Sequence, residues 1–151
     1  GYLAIFEPEA ICDEEVSNGN KEEFLKRSRI ANRNIGGLLY MKKLLNPFKY
    51  GVFSLELISH KVCRLIVPLL LIILFFASSF MARRSLIYGL FTLMQVLFYL
   101  VAILGSFVQR YKKKNRLLLV PLFFCITNLG VLFGILKFMT GKKKAIWNPV
   151  R

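Results

Sequence analysis

Three apolar runs without a single charge dominate the second half of this 151-residue chain and leave it few ways to fold. They are Leu65 to Ala82, Leu86 to Val108 and Leu117 to Leu136, of 18, 23 and 20 residues. A hydrocarbon core about 30 Å thick takes roughly 20 helical residues to cross. Within it, only helices and closed barrels satisfy their own backbone polar groups. Each run therefore reads as a transmembrane helix. None lies at the N-terminus, so none is a signal peptide. The composition, 56% hydrophobic, agrees, because a soluble domain of this length has no use for so much apolar surface.

Charge is distributed as unevenly as hydrophobicity. All eight acidic residues lie between Glu7 and Glu56, where eight basic residues balance them. The other fourteen cations lie from Lys61 onward with no acid among them, so the net charge of +14 belongs to the membrane half. Cations beside apolar spans are the pattern of head-group contact and positive-inside orientation. They account for the basicity better than nucleic acid binding does, and no nucleic-acid partner is expected. The rule places the cations before Leu65 and the loop Arg110 to Arg116 on the cytoplasmic side, with Arg83-Arg84 facing out. Three full crossings would then leave "GKKKAIWNPVR" outside. Either the third run stops short of a full crossing, with Pro121, Asn128, Gly130 and Gly134 available to break its helix, or the charge rule fails at the last helix.

Before the spans the chain divides in two. Residues 1–16 hold a β-like run, "GYLAIF", and an acidic loop. Residues 17–64 are amphipathic and basic. "SNGN" is turn chemistry, and Asn20 with Glu23 has the spacing of a capping box. In a helix starting there, Lys26, Arg29 and Arg33 share one face with Ile30 beside them, while Phe24, Ala31, Ile35 and Leu38 share the opposite face. Gly36-Gly37 weakens this helix, and Asn46-Pro47 ends it. The helix and the segment "YGVFSLELISHKVCR" after it are expected to lie along the membrane interface before the chain turns in at Leu65.

Catalytic chemistry is not visible. Ser59-His60-Lys61 has no carboxylate to orient the histidine, "IGGLL" lacks phosphate-loop spacing, and Asp13, Glu14 and Glu15 read as a solvated loop. Cys12, Cys63 and Cys125 are too scattered for a metal site. What remains is the cationic face. An arginine fork makes two hydrogen bonds at once to a phosphate, so Lys26, Arg29 and Arg33 suit a diphosphate. They suit an anionic lipid surface as well.

The order of these segments resembles the C-terminal part of membrane-embedded family 2 glycosyltransferases, the group of the cellulose, hyaluronan and poly-N-acetylglucosamine synthases. "GYLAIFEPEAICDEEV", with Pro8, Ala10 and Glu14 or Glu15, resembles the strand and loop after the family's Glu-Asp catalytic motif. "EEFLKRSRIANRNIGGL" resembles the interfacial helix that carries Gln-x-x-Arg-Trp. "LLNPFKYGVFSLELISHKVCRLIVPLL" resembles the approach to the membrane, with "SHK", Arg64 and Pro68 in order, and the Trp-containing ending is similar too. The Gln, Arg and Trp fall on Lys26, Arg29 and Ile30, of which only the arginine matches.

The resemblance implies a mainly α membrane fold. Amphipathic interfacial helices at 17–64 precede three spans at 65–82, 86–108 and 117–136, and residues 1–16 are the end of a truncated nucleotide-diphospho-sugar transferase (GT-A) domain. It implies transfer of a sugar from a nucleotide-diphospho-sugar to a membrane-associated or polysaccharide acceptor at the cytoplasmic face of the cell membrane. Catalytic residues and a divalent metal, Mg or Mn, would belong to the upstream domain. Lys26, Arg29, Ile30 and Arg33 would line the diphosphate and acceptor side, with Arg29 nearest the diphosphate. Ile30 offers no aromatic face for an acceptor sugar, so transfer of one or a few sugars to a lipid-linked acceptor fits as well as processive synthesis. The competing expectation is a stand-alone small cationic membrane anchor or subunit with no catalysis, whose partners are membrane lipids alone.

Overall fold

The computed structural model describes residues 7–9, 11, 19–110 and 116–141, and among them there is no strand. The β-like run at 1–6, the acidic cluster Asp13 to Glu15, Cys12 and the tail after Gly141 lie outside the described residues. In chain order the elements are α1 (Asn20–Tyr40), a 3₁₀ turn (Lys42–Leu45), α2 (Pro47–Tyr50), α3 (Val52–Leu57), a π-helical stretch (Ile58–Cys63), α4 (Arg64–Met81), α5 (Leu86–Arg110) and α6 (Arg116–Met139).

The expected spans appear as α4, α5 and α6 within a few residues of their sequence bounds. Among the described residues three helical stretches are long and apolar enough to cross a membrane: Val52–Met81, Leu86–Gln109 and Leu118–Met139. The chain is thus a multi-pass membrane protein in its architecture. The first stretch corrects one expectation. No turn separates the approach segment from the span at Leu65; α3, the π stretch and α4 form one helical rod of 30 residues. Such a rod is about 45 Å long, more than the hydrocarbon needs, so its N-terminal part projects beyond it. The π widening sits just ahead of Pro68, which has no N–H to return to the Arg64 carbonyl.

Helices α4 and α5 form an antiparallel hairpin with Arg83-Arg84 at its tip. The single proton of the Ser78 hydroxyl of α4 is shared between the Phe75 carbonyl (3.1 Å) and the Gln95 amide oxygen of α5 (3.2 Å). The rings of Phe75 and Tyr99 meet edge to face at 6.3 Å. Polar side chains are few in these spans, so a bond between two of them ties the helices where lipid offers no alternative partner.

The turn chemistry before α3 is local. Asn46 Oδ1 accepts from the Phe48 N–H (3.0 Å), and Pro47 occupies the first helical position, where its missing N–H costs nothing. Gly51 adopts φ +55, a conformation glycine tolerates and other residues resist, and it lets α3 begin at once. The buried Ser54 hydroxyl then donates to the Leu44 carbonyl and straps α3 to the 3₁₀ turn.

Helix α1 departs from expectation at both ends. Its N-cap is Gly19, without a side-chain cap, and Asn20 is already helical. Asn20 turns its amide outward and donates to Gln109 Oε1 at the end of α5 (2.6 Å). The helix closes at Tyr40, well before Asn46, with Met41 N–H returning to the Gly37 carbonyl.

Candidate functional site

The basic helix does not rest on lipid alone; it packs along α6 in the most extensive helix pair of the fold. The seam is built from small residues. Gly130 and Gly134 of α6 are spaced as in G-x-x-x-G, the pattern that lets membrane helices approach closely. A β-carbon on Gly130 would come within 2.8 Å of Arg27 Cβ and 2.9 Å of the Phe24 carbonyl oxygen. One on Gly134 would come within 2.7 Å of Ala31 Cβ. Facing them, Ser28 and Ala31 are each 2% exposed. Asn32, buried beside them, donates through Nδ2 to the Gly134 carbonyl at 3.5 Å.

Aromatic and charged groups flank this seam. Phe24 stacks on Phe133 with centroids 5.4 Å apart, and Lys137 Nζ lies 4.6 Å from the same ring. Arg27 pairs with Glu23 one turn earlier (Nε to Oε1, 2.5 Å) and sets its guanidinium 5.9 Å from the Phe123 ring. Two hydroxyls at or near the seam, Ser28 Oγ and Thr127 Oγ1, are buried with no hydrogen-bond partner among the described residues.

This docking orients the predicted site residues. At about 100° per residue, the α1 face in contact with α6 centres on Phe24, Ser28, Ala31 and Ile35. Lys26, Arg29 and Arg33, with Ile30 beside them, fall on the opposite side. The face assignment read from the sequence therefore agrees with the packing, although the apolar side meets a protein helix. Ile30 is 40% exposed and Arg33 exposed, while Lys26 and Arg29 are half-buried. Steps of three and four residues put neighbouring cations on adjacent turns, about 5–6 Å apart at their β-carbons. The result is a short cationic ridge on a helix held from behind.

The ridge carries the charge to attract an anion. Ser59, His60 and Lys61 lie on the π stretch; Ser59 Oγ donates to the Glu56 carbonyl (3.1 Å), and His60 is exposed. Among the described residues no cluster of His, Cys, Asp and Glu could hold a metal.

Sequence reasoning missed the seam. It held Pro121, Asn128, Gly130 and Gly134 only as residues able to break the helix; α6 runs unbroken from Arg116 to Met139 with Pro121 inside it, and Asn128 Nδ2 donates to the Phe124 carbonyl (2.9 Å). The glycine spacing was the signal that could have revealed it. Comparison with protein-family models, with curated proteins and with solved structures finds no match to this chain.

Proposed function

We propose that this chain is the membrane region of a glycosyltransferase that uses a nucleotide-diphospho-sugar, with the α1 ridge as part of its donor side. The supporting observation is the orientation of Arg29: it sits on the face of α1 turned away from α6, on a helix fixed by a close glycine seam. A rigid arginine fork loses less freedom when it grips a diphosphate, and it lowers the charge of a nucleotide diphosphate as that group leaves. Lys26 and Arg33, one turn to either side, add charge to the same ridge. Proton transfer, the divalent metal and the acceptor's general base belong to a catalytic domain outside these residues.

The test is sugar transfer by the full-length protein in its own membranes. Arg29→Ala is expected to lower transfer about tenfold to a hundredfold, the range of a lost charge-assisted contact, while membrane insertion is unchanged. Equal transfer by the variant overturns the assignment.

A second reading follows from the same ridge. Three cations on one face also suit anionic lipid head groups, at about 1 kcal/mol each. A cationic anchor without catalysis would lose binding to anionic vesicles by similar amounts whether Lys26, Arg29 or Arg33 is replaced. A diphosphate site would single out Arg29.

A further inference from the structure

We propose that α6 does not cross the bilayer and that its C-terminal end returns to the side of the membrane occupied by α1. The argument begins with the α4–α5 hairpin. Phe75 pairs with Tyr99, and Ser78 with Gln95, so the two helices run antiparallel toward the tip at Arg83-Arg84. The other end of the hairpin is open. It is marked on α5 by Gln109 and on the long rod by α3.

Both ends of α1 are tied to this open end. Asn20 is bonded to Gln109, and Leu44, four residues past the end of α1, accepts from Ser54 of α3. A helix of 21 residues is about 30 Å long. Had α1 followed the hairpin toward its tip, Tyr40 would lie far from α3, and the few residues to Leu44 would not bring the chain back. Helix α1 therefore runs across the open end.

Helix α6 follows α1 in parallel. Gly130 meets Phe24 and Arg27, Gly134 meets Ser28 and Ala31, and the Phe138 ring meets Gly36. Phe138 is thus held against the part of α1 that leads directly to Leu44 and Ser54. A crossing helix would instead have carried Phe138 to the Arg83-Arg84 tip. The first third of α6 does reach into the hairpin, with Leu118 and Leu122 against Gly105 and Phe124 against Phe98 in the middle of α5. Beyond it α1 lies along one side of α6, while Cys125, Asn128, Leu129 and Leu132 on another side line a cavity with Pro68, Leu71 and Phe75 of α4.

Charge leads to the same conclusion. Helix α1 carries seven charged side chains between Lys21 and Arg33. It covers α6 from Phe123 to Phe138, a length of about 23 Å out of a core of about 30 Å. If α6 crossed, that charge would sit at membrane depth, where ionised side chains are expensive. The apolarity of α6 has another cause. Its Gly130–Gly134 side is covered by α1, and part of the rest by α4 and α5. The exposed Leu129, Leu136 and Met139, on the side opposite α1, are left for the acyl chains of one leaflet. The described end of α6 then lies on the side of the α1 cations, and the sequence continues from there into Lys142 to Lys144, the charge pattern that the positive-inside rule favours on one side.

The experiment is cysteine accessibility in the full-length protein in intact cells. In a background with Cys12, Cys63 and Cys125 replaced by serine, single cysteines are introduced as Lys42→Cys, Arg84→Cys and Thr140→Cys. They are probed with a membrane-impermeant maleimide before and after permeabilisation. Thr140→Cys is expected to label with Lys42→Cys and on the opposite side from Arg84→Cys. If it labels with Arg84→Cys, α6 crosses and the proposal is overturned. Lys142→Cys, in the cationic sequence that follows α6, gives the same reading should the Thr140 variant express poorly.

Discussion

Gly134 of α6 and Ala31 of α1 touch so closely that a β-carbon on the glycine would stand 2.7 Å from that of the alanine. This contact fixes where the cationic ridge points, and it makes Gly134 the most sensitive position in the seam. Gly134→Leu would force the helices apart, and overpacking of this kind costs typically 1–3 kcal/mol. The expected outcome is release of α1, read as faster tryptic cleavage at Lys26, Arg27, Arg29 and Arg33 in detergent-solubilised protein. Gly37→Leu, at a position with nothing within 4 Å of a β-carbon, should leave cleavage unchanged.

Ser28 should behave in the opposite way. Its hydroxyl is buried in the seam with no partner among the described residues, so the native state carries an uncompensated desolvation cost. Ser28→Ala removes that group and keeps the small side chain the seam needs. It is expected to raise stability by about 1 kcal/mol, measured as the midpoint of thermal unfolding in detergent. A drop of similar size would mean that the hydroxyl has a partner.

The bond between Ser78 and Gln95 should hold the hairpin together modestly. Hydrogen bonds between membrane helices are worth about 0.6 kcal/mol on average and up to about 2. Ser78→Ala alone strands a polar amide among apolar side chains and should cost the most. Ser78→Ala combined with Gln95→Leu should recover part of that loss, as a double-mutant cycle on unfolding would report.

Ser54 tests the strap at the open end of the hairpin. Its side chain is fully buried and bonded to the Leu44 carbonyl. Ser54→Ala leaves that carbonyl without this donor, at a cost of about 1–3 kcal/mol. Hydrogen exchange over the segment from Met41 to Gly51 should speed up, while exchange in α5 should not change.

Much of the architecture was legible in the chain. The three helical runs appear where uncharged stretches of 18, 23 and 20 residues demanded them, because backbone polar groups in hydrocarbon have no other solution. The two faces of α1 were legible too, since helical period alone separates Lys26, Arg29 and Arg33 from Phe24, Ala31 and Ile35. The partner of the apolar face was not legible. Gly130 and Gly134 weaken a helix when its propensity is read locally, and only a second helix lying against them turns the missing β-carbons into an advantage.

The end of α1 and the course of the approach segment were misread for a similar reason. Local rules put a stop at Asn46-Pro47 and a turn at Leu65. In the structure the helix ends at Tyr40 and a single rod runs from Val52 to Met81.

Sequence by itself determined which segments are helical and which of them suit a membrane, because both follow from the backbone's need for hydrogen bonds and from the local density of charge. Tertiary structure alone decided that the cationic helix lies on α6, that its ridge faces away from the seam, and that both ends of α1 meet the open end of the hairpin. Those outcomes depend on which surfaces come close enough to exclude solvent; the glycine spacing marks a close-packing face, but it does not say which helix about a hundred positions away will fill it.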